Sequence, residues 1–282
     1  MPFKKIIIVG GGNAGLSVAA QLLAKDKNLA ISIIEPSEKH YYQPAWTLVG
    51  AGIFDVNKTV RNEADYIPSG ATWIKDAVAE FEPETNSVTC ASGAKYTYDA
   101  MVVCPGIQLD WNKIKGFKDT LGRNNVSSNY SFDIAPYTWE LIKNFKGGTA
   151  VFTNPVSPIK CGGAPHKIMY LACDYWRKQG ILDKCDVHYL SGAGAIFAVK
   201  EYAKTLTDVV KKDNIKTHFG VNVTAIDGPG KTVQYEEKDS EGITHTREMR
   251  FDICHAVPPQ SAPDFIKGSP LADPKNSYGY IN

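Results

Sequence analysis

Long apolar runs are missing from this chain of 282 residues. The longest, such as Ile6 to Val9 and Met101 to Cys104, are strand-sized and stop far short of the roughly 20 residues that a membrane helix requires. Any membrane contact is therefore expected to be peripheral. An excess of one charge is missing too: Lys and Arg number 31 against 30 for Asp and Glu. Without a basic block there is no electrostatic footprint of a nucleic-acid binder. Cysteine is sparse. Cys90, Cys104, Cys161, Cys173, Cys185 and Cys254 include no Cys-x-x-Cys pair, and the histidines His40, His166, His188, His218, His245 and His255 show no ligand spacing. Neither a metal site nor a disulfide scaffold is expected. Nothing like a leader precedes the first strand, which begins within five residues of Met1, so no targeting peptide is expected in the sequence as it stands.

What remains is ordinary globular composition, 43% hydrophobic and 22% charged, in a length that suits one large domain or two ordinary ones. Lys5 to Val9 reads as a short β-branched strand, Gly10-Gly11-Gly12-Asn13-Ala14-Gly15 as a turn, and Leu16 to Leu23 as an amphipathic helix. A second strand, Ala30 to Ile34, ends on Glu35, 20 residues beyond Gly15. Together these make a dinucleotide-binding fingerprint in its structural context. Gly10 permits the tight turn, Gly12 lets a pyrophosphate approach the backbone, and Gly15 lets helix pack on strand. The amides of Asn13 and Ala14 open the helix toward negative charge, and Glu35 is placed to hold a ribose hydroxyl. Trp73 to Glu80 and Ser87 to Cys90 follow as strands, and Tyr96 to Asp99 leads into the apolar strand Met101 to Cys104 and the turn Pro105-Gly106. A β-excursion that returns to a buried strand is the layout of a flavin-binding domain.

The second half repeats the β-α-β plan with a different loop. Gly148 to Thr153 reads as a strand, but the residues after it carry Pro155 and Pro158 in place of a second glycine fingerprint. Proline has no amide to donate, so the loop is ill suited to a pyrophosphate and no nicotinamide nucleotide is expected there. A helix follows from near Pro165, with Ile168, Met169, Leu171, Ala172, Tyr175 and Trp176 on its apolar side and Gly180 beyond its end. Asp186 to Leu190 reads as a strand, Lys200 to Lys212 as a helix, and Val221 to Ile226, Lys231 to Glu237 and Phe251 to Val257 as strands. The expected class is α/β with two Rossmann-like dinucleotide-binding domains, at 1–115 and 116–255. The remainder, 256–282, reads as the start of a return segment that stops mid-domain.

Several long stretches carry a family pattern. They are Ile34 to Gly52 with its Tyr41-Tyr42-Gln43-Pro44, Val102 to Asp110, Pro158-Ile-Lys-Cys-Gly-Gly-Ala-Pro-His-Lys-Ile-Met-Tyr-Leu171, Gly194 to Phe197, and His255-Ala-Val-Pro-Pro259. In these the chain resembles the sulfide:quinone oxidoreductases, in particular the branch that includes mitochondrial enzymes. The resemblance implies noncovalent FAD, sulfide as reductant, a membrane quinone as oxidant and a small sulfur acceptor. It implies flavin contacts at the glycine turn (Asn13, Ala14), at Glu35 and at Gln43, with a backbone contact to the adenine at Ala77 and Val78; the turn at Gly106 is expected beside the cofactor. Family members use two redox cysteines, of which the first matches Cys161. The second lies in a C-terminal segment without a counterpart here, which also seats those enzymes on the membrane. The implied location is the cytoplasmic face of a bacterial membrane, or the mitochondrial inner membrane for a relative lacking its N-terminus.

Cys161 has a reading of its own. It precedes a helix start, with Lys160, His166 and Lys167 nearby, and a helix N-terminus with cations favours the reactive thiolate. The residues alone leave open a small buried side chain in a tight Gly-Gly loop. Lys167 is read as stabilising the thiolate or a persulfide, against the plain alternative of a solvated first-turn lysine. Cys173 lies about 12 Å along the helix, beyond disulfide reach. Cys104 is either a strand-end core residue or a substitute partner thiol, and Tyr41, Tyr42 and Trp46 are expected to pack around the adenosine end. Two other functions stay open: an NADH-fed flavin reductase and a catalytically silent nucleotide-binding remnant.

Overall fold

The structure, a computed structural model, describes residues 4–281; the readings placed on Met1 and Asn282 lie outside the described residues. Packing divides the chain into one unit of Met1–Tyr41, Val60–Gln108 and Ser261–Asn282 and another of Tyr42–Thr59 and Leu109–Gln260. Compared with boundaries drawn along the sequence, residues 42–59 are counted with the second unit.

In the first unit, strands run in parallel in the order Ala71–Ile74, Ala30–Ile34, Lys5–Val9, Ala100–Val103. Lys5–Val9 is thus central, and its apolar run serves both faces. Ile6 and Ile8 pack with Leu16, Ala19 and Leu23 of the helix Asn13–Lys25, whereas Ile7 and Val9 pack with Val78, Phe81 and Val88. A parallel strand covered on both sides must be apolar throughout. The opposite layer is the antiparallel sheet Val78–Glu82, Ser87–Cys90, Lys95–Thr97. The stretch Trp73 to Glu80, expected as one strand, is therefore two. The break comes at Asp76, whose Oδ1 accepts the Ala77 N–H at 2.8 Å and takes it from any ladder.

The second unit has a parallel sheet in the order Val126–Ser127, Ile253–His255, Gly148–Asn154, Cys185–Ser191, Lys216–Phe219. Helices Ala135–Asn144 and Ala164–Lys178 cover one face, packing Ile142, Ile168, Met169 and Trp176 on Phe152 and Tyr189. On the other face Val151, Leu190 and Cys254 meet Val223, Ile226, Val233 and Tyr235 from the antiparallel sheet Asn222–Asp227, Thr232–Lys238, Thr244–Arg250. The expected strand Phe251 to Val257 shrinks to Ile253–His255. Its ends bond elsewhere, Phe251 N–H to the Lys231 carbonyl and Val257 N–H to Thr153 Oγ1. No helix among the described residues is long and apolar enough to cross a membrane.

Candidate functional site

In the first unit the glycine turn closes tightly on itself. Gly10 has φ +100°, and a Cβ there would lie 2.2 Å from the Cys104 carbonyl oxygen. A Cβ on Gly15 would lie 2.0 Å from the Gly10 carbonyl oxygen, so both positions admit only hydrogen. Gly12 is the opposite case: a Cβ there would meet nothing within 4 Å. It stands as N-cap of the helix Asn13–Lys25 and no side chain caps that helix. The first-turn amides of Asn13 and Ala14 have no intrahelical acceptor, and the space at Gly12 fits the pyrophosphate such a turn attracts.

Glu35 is fixed by two amides, Oε2 accepting the Gly11 N–H at 2.8 Å and Oε1 the Ser37 N–H at 2.7 Å. A carboxylate has lone pairs to spare beyond these two bonds, enough for a ribose hydroxyl. Beside it lies Glu63, which the sequence reading missed. It is 1% exposed, its Oε2 lies 3.0 Å from His40 Nδ1, and its Oε1 is buried without a partner. Burial pushes the Glu63 carboxyl up, His40 opposes, and the charge of Glu35 adds to the push. It falls in the short turn Glu63–Asp65, where no spacing rule flags it. The Ala77 N–H is taken by Asp76 and its carbonyl accepts from Ala91 N–H, while Val78 is buried and pairs with Cys90. Gly106, at φ +78°, is exposed on the turn after Ala100–Val103. Cys104 donates its N–H to Val9, and burial pushes its thiol up.

In the second unit Cys161 is the exposed thiol; the other five cysteines are buried or half-buried. Burial pushes Cys185 up to about 11 and Cys254 to about 12, so both stay protonated at neutral pH. Cys161 has φ +56°, a left-handed conformation that costs on the order of 1 kcal/mol or more and persists only where neighbours hold it. They do. The Cys161 carbonyl accepts the Ala164 N–H at 2.9 Å, the Lys160 N–H donates to Gln260 Oε1 at 2.7 Å, and Tyr130 O–H donates to the Lys160 carbonyl at 3.2 Å. The Lys160 ammonium lies over the rings of Trp46 and Tyr130, 5.4 and 5.5 Å from their centroids. Burial pulls it down to about 8, with Cys161 opposing.

His166 is 5% exposed, its ring nitrogens lack hydrogen-bond partners, and Tyr170, Tyr189 and Phe197 surround it. Burial pulls it down to about 4, so it is neutral at physiological pH. Lys167 is exposed on the first turn of Ala164–Lys178. Gln43 is exposed in the turn Gln43–Ala45. Trp46 differs from expectation: its indole is buried with Val49 and Ala135 and donates to Thr59 Oγ1 at 3.2 Å. Tyr41 and Tyr42 are exposed. Tyr130 and Gln260 were missed by the sequence reading, although Gln260 directly follows the Pro258-Pro259 pair of a family stretch.

Residues 4–134 match the pyridine nucleotide-disulphide oxidoreductase family. Over 280 residues the chain is 46% identical to the mitochondrial sulfide:quinone oxidoreductase of Dictyostelium discoideum, an alignment covering 99% of this chain and 60% of that protein. With the mitochondrial sulfide:quinone oxidoreductase of Mus musculus identity is 38% over 278 residues, covering 99% and 61%. Nearly the whole chain is thus similar to part of the mitochondrial sulfide:quinone oxidoreductases. The chain spans about three fifths of the length of these curated relatives. The X-ray structure of the sulfide:quinone oxidoreductase from Aquifex aeolicus aligns with a TM-score of 0.81 at 22% identity, over 99% of this chain and 64% of that one. The fold is accordingly the α/β fold of FAD/NAD-binding flavoproteins.

Proposed function

We propose that the chain holds FAD at the Gly10–Gly15 turn and takes part, through Cys161, in oxidising sulfide with electrons delivered to a membrane quinone. The observation that carries this reading is Cys161 itself: an exposed thiol on a left-handed loop residue held by its neighbours, in a chain whose relatives are named sulfide:quinone oxidoreductases. The turn receives the pyrophosphate at Gly12, Asn13 and Ala14, and Glu35 accepts from the ribose. Gln43, the Ala77-Val78 backbone and Gly106 are the further contacts proposed for the cofactor. When bound, FAD supplies the two-electron step between sulfur and quinone.

The protein's part begins with sulfur. Hydrosulfide attacks the Cys161 sulfur, which enters the reaction in disulfide linkage with a second sulfur. The S–S bond breaks, a persulfide forms on the attacked sulfur, and the other sulfur leaves as a thiolate. The persulfide sulfur then passes to a small nucleophilic acceptor. Relatives named mitochondrial favour the mitochondrial inner membrane, approached peripherally, over a bacterial membrane. The reading against it is reduction by NADH. The loop after Gly148–Asn154 argues against that source, since Pro155 and Pro158 remove donors where a second pyrophosphate would sit. The test is to follow the visible flavin band anaerobically with sulfide and, separately, with NADH, then add a short-chain quinone. Bleaching by sulfide and recovery with quinone is the expected result; bleaching by NADH alone would overturn the proposal.

A further inference from the structure

Three side chains near Cys161 could bring it positive charge: Lys160, His166 and Lys167. His166 is enclosed by aromatic rings and buried, and it carries no charge at neutral pH. Lys167 is exposed, where water and salt screen it. Lys160 is held differently. Its ammonium is fixed over two aromatic faces, and its charged neighbour is the Cys161 sulfur rather than a carboxylate. Both ends of its backbone unit are clamped, by Gln260 Oε1 and by the Tyr130 hydroxyl. Gln260 is 3% exposed, and its Nε2, though near enough to Tyr130 to favour the ionised phenol, meets no acceptor at hydrogen-bond geometry. A half-buried ammonium held over two rings, on the residue that directly precedes the exposed Cys161, and a buried amide donor without an acceptor on the side chain that clamps that residue make a seat for an anion.

We infer that Lys160, rather than Lys167, is the positioning residue that holds the Cys161 sulfur as an anion, thiolate or persulfide, with Gln260 and Tyr130 fixing it there. The inference rests on Cys161 being the redox thiol. Among the described residues, the groups that face Lys160 include Trp46, Tyr130, Gln260 and Cys161. Tyr130 stays neutral at physiological pH because burial pushes its phenol up. The ammonium supports the anion below about pH 8 and withdraws above it, as its own proton leaves.

The test is the pH–rate curve for alkylation of Cys161 by iodoacetamide in the purified flavin-loaded protein, with Cys161→Ser as the blank. Lys160→Met is expected to slow alkylation at pH 7 by about tenfold, equivalent to one unit along the pH axis. Lys160→Arg restores the rate, and Lys167→Met changes it less than Lys160→Met does. The ratio of wild-type to Lys160→Met rates falls toward one above pH 8. Lys160→Gln replaces Lys160→Met if the latter does not fold. An unchanged curve in the Lys160 variants would overturn the inference, as would a shift in Lys167→Met as large as theirs. Alkylation needs neither sulfide nor quinone, so a wild-type flavin that ignored sulfide would defeat the proposed function separately, without altering how this curve is read.

Discussion

His166 presents its ring to Tyr170, Tyr189 and Phe197 and finds no partner for either nitrogen. Its pKa, pulled down to about 4 by burial, lies below the unfolded value of about 6.5. The folded state therefore binds fewer protons. Stability from this group is present above pH 6.5 and lost as pH falls toward 4, about 3 kcal/mol in all. His166→Phe keeps a ring in the enclosure and removes the titration. Thermal unfolding at pH 7 and pH 5 should show a smaller fall for the variant, with a residual slope from His255, which burial also pulls to about 4; equal falls would contradict the account. At the cofactor turn, Glu35→Ala frees the Gly11 and Ser37 amides. Because bonds to a charged acceptor contribute about 1.5–3 kcal/mol, flavin affinity by fluorescence titration is expected to drop about tenfold or more, and an unaltered affinity would count against Glu35. Glu35 was legible because its spacing from Gly15 is a chemical ruler. Glu63 was not, since its place beside Gly11 is made by packing across the unit.

The strand, turn and helix at Lys5–Lys25 were legible as an element because β-branched residues, glycines and helical spacing agree over one short stretch. The helix Ala164–Lys178 was legible for the same reason, with Pro165 at its start. The strand Thr244–Arg250 was not, because it lies at the edge of its sheet and offers one apolar residue, Met249. Two glycine substitutions separate folding from binding at the level of the turn. Gly15→Ala drives a methyl into the Gly10 carbonyl, and overpacking of that kind costs about 1–3 kcal/mol, so the melting temperature should fall by several degrees. Gly12→Ala meets no neighbour and should change stability by no more than about 1 kcal/mol. It should nevertheless weaken flavin retention, because its methyl occupies the space proposed for the pyrophosphate. Melting curves and flavin content measured on both variants check this. Equal effects on stability would be inconsistent with the geometry.

Across the whole molecule the two Rossmann-like units were legible from repeated β-α-β order, and the likeness to sulfide:quinone oxidoreductases from stretches spread along the chain. The assignment of residues 42–59 to the second unit was not, since Trp46 and Val49 join Ala135 through contacts distant in sequence. The charged side chain at the cysteine loop was only half legible: the sequence places lysines on both sides of Cys161, and burial distinguishes them. The most direct measurement of the central claim is peptide mass spectrometry after turnover with sulfide and quinone, with thiols trapped by alkylation. The account predicts one added sulfur on the peptide that carries Cys161, and none on those carrying Cys90, Cys104, Cys173, Cys185 or Cys254. Turnover with no sulfur on Cys161, or with the sulfur on another cysteine, would contradict it.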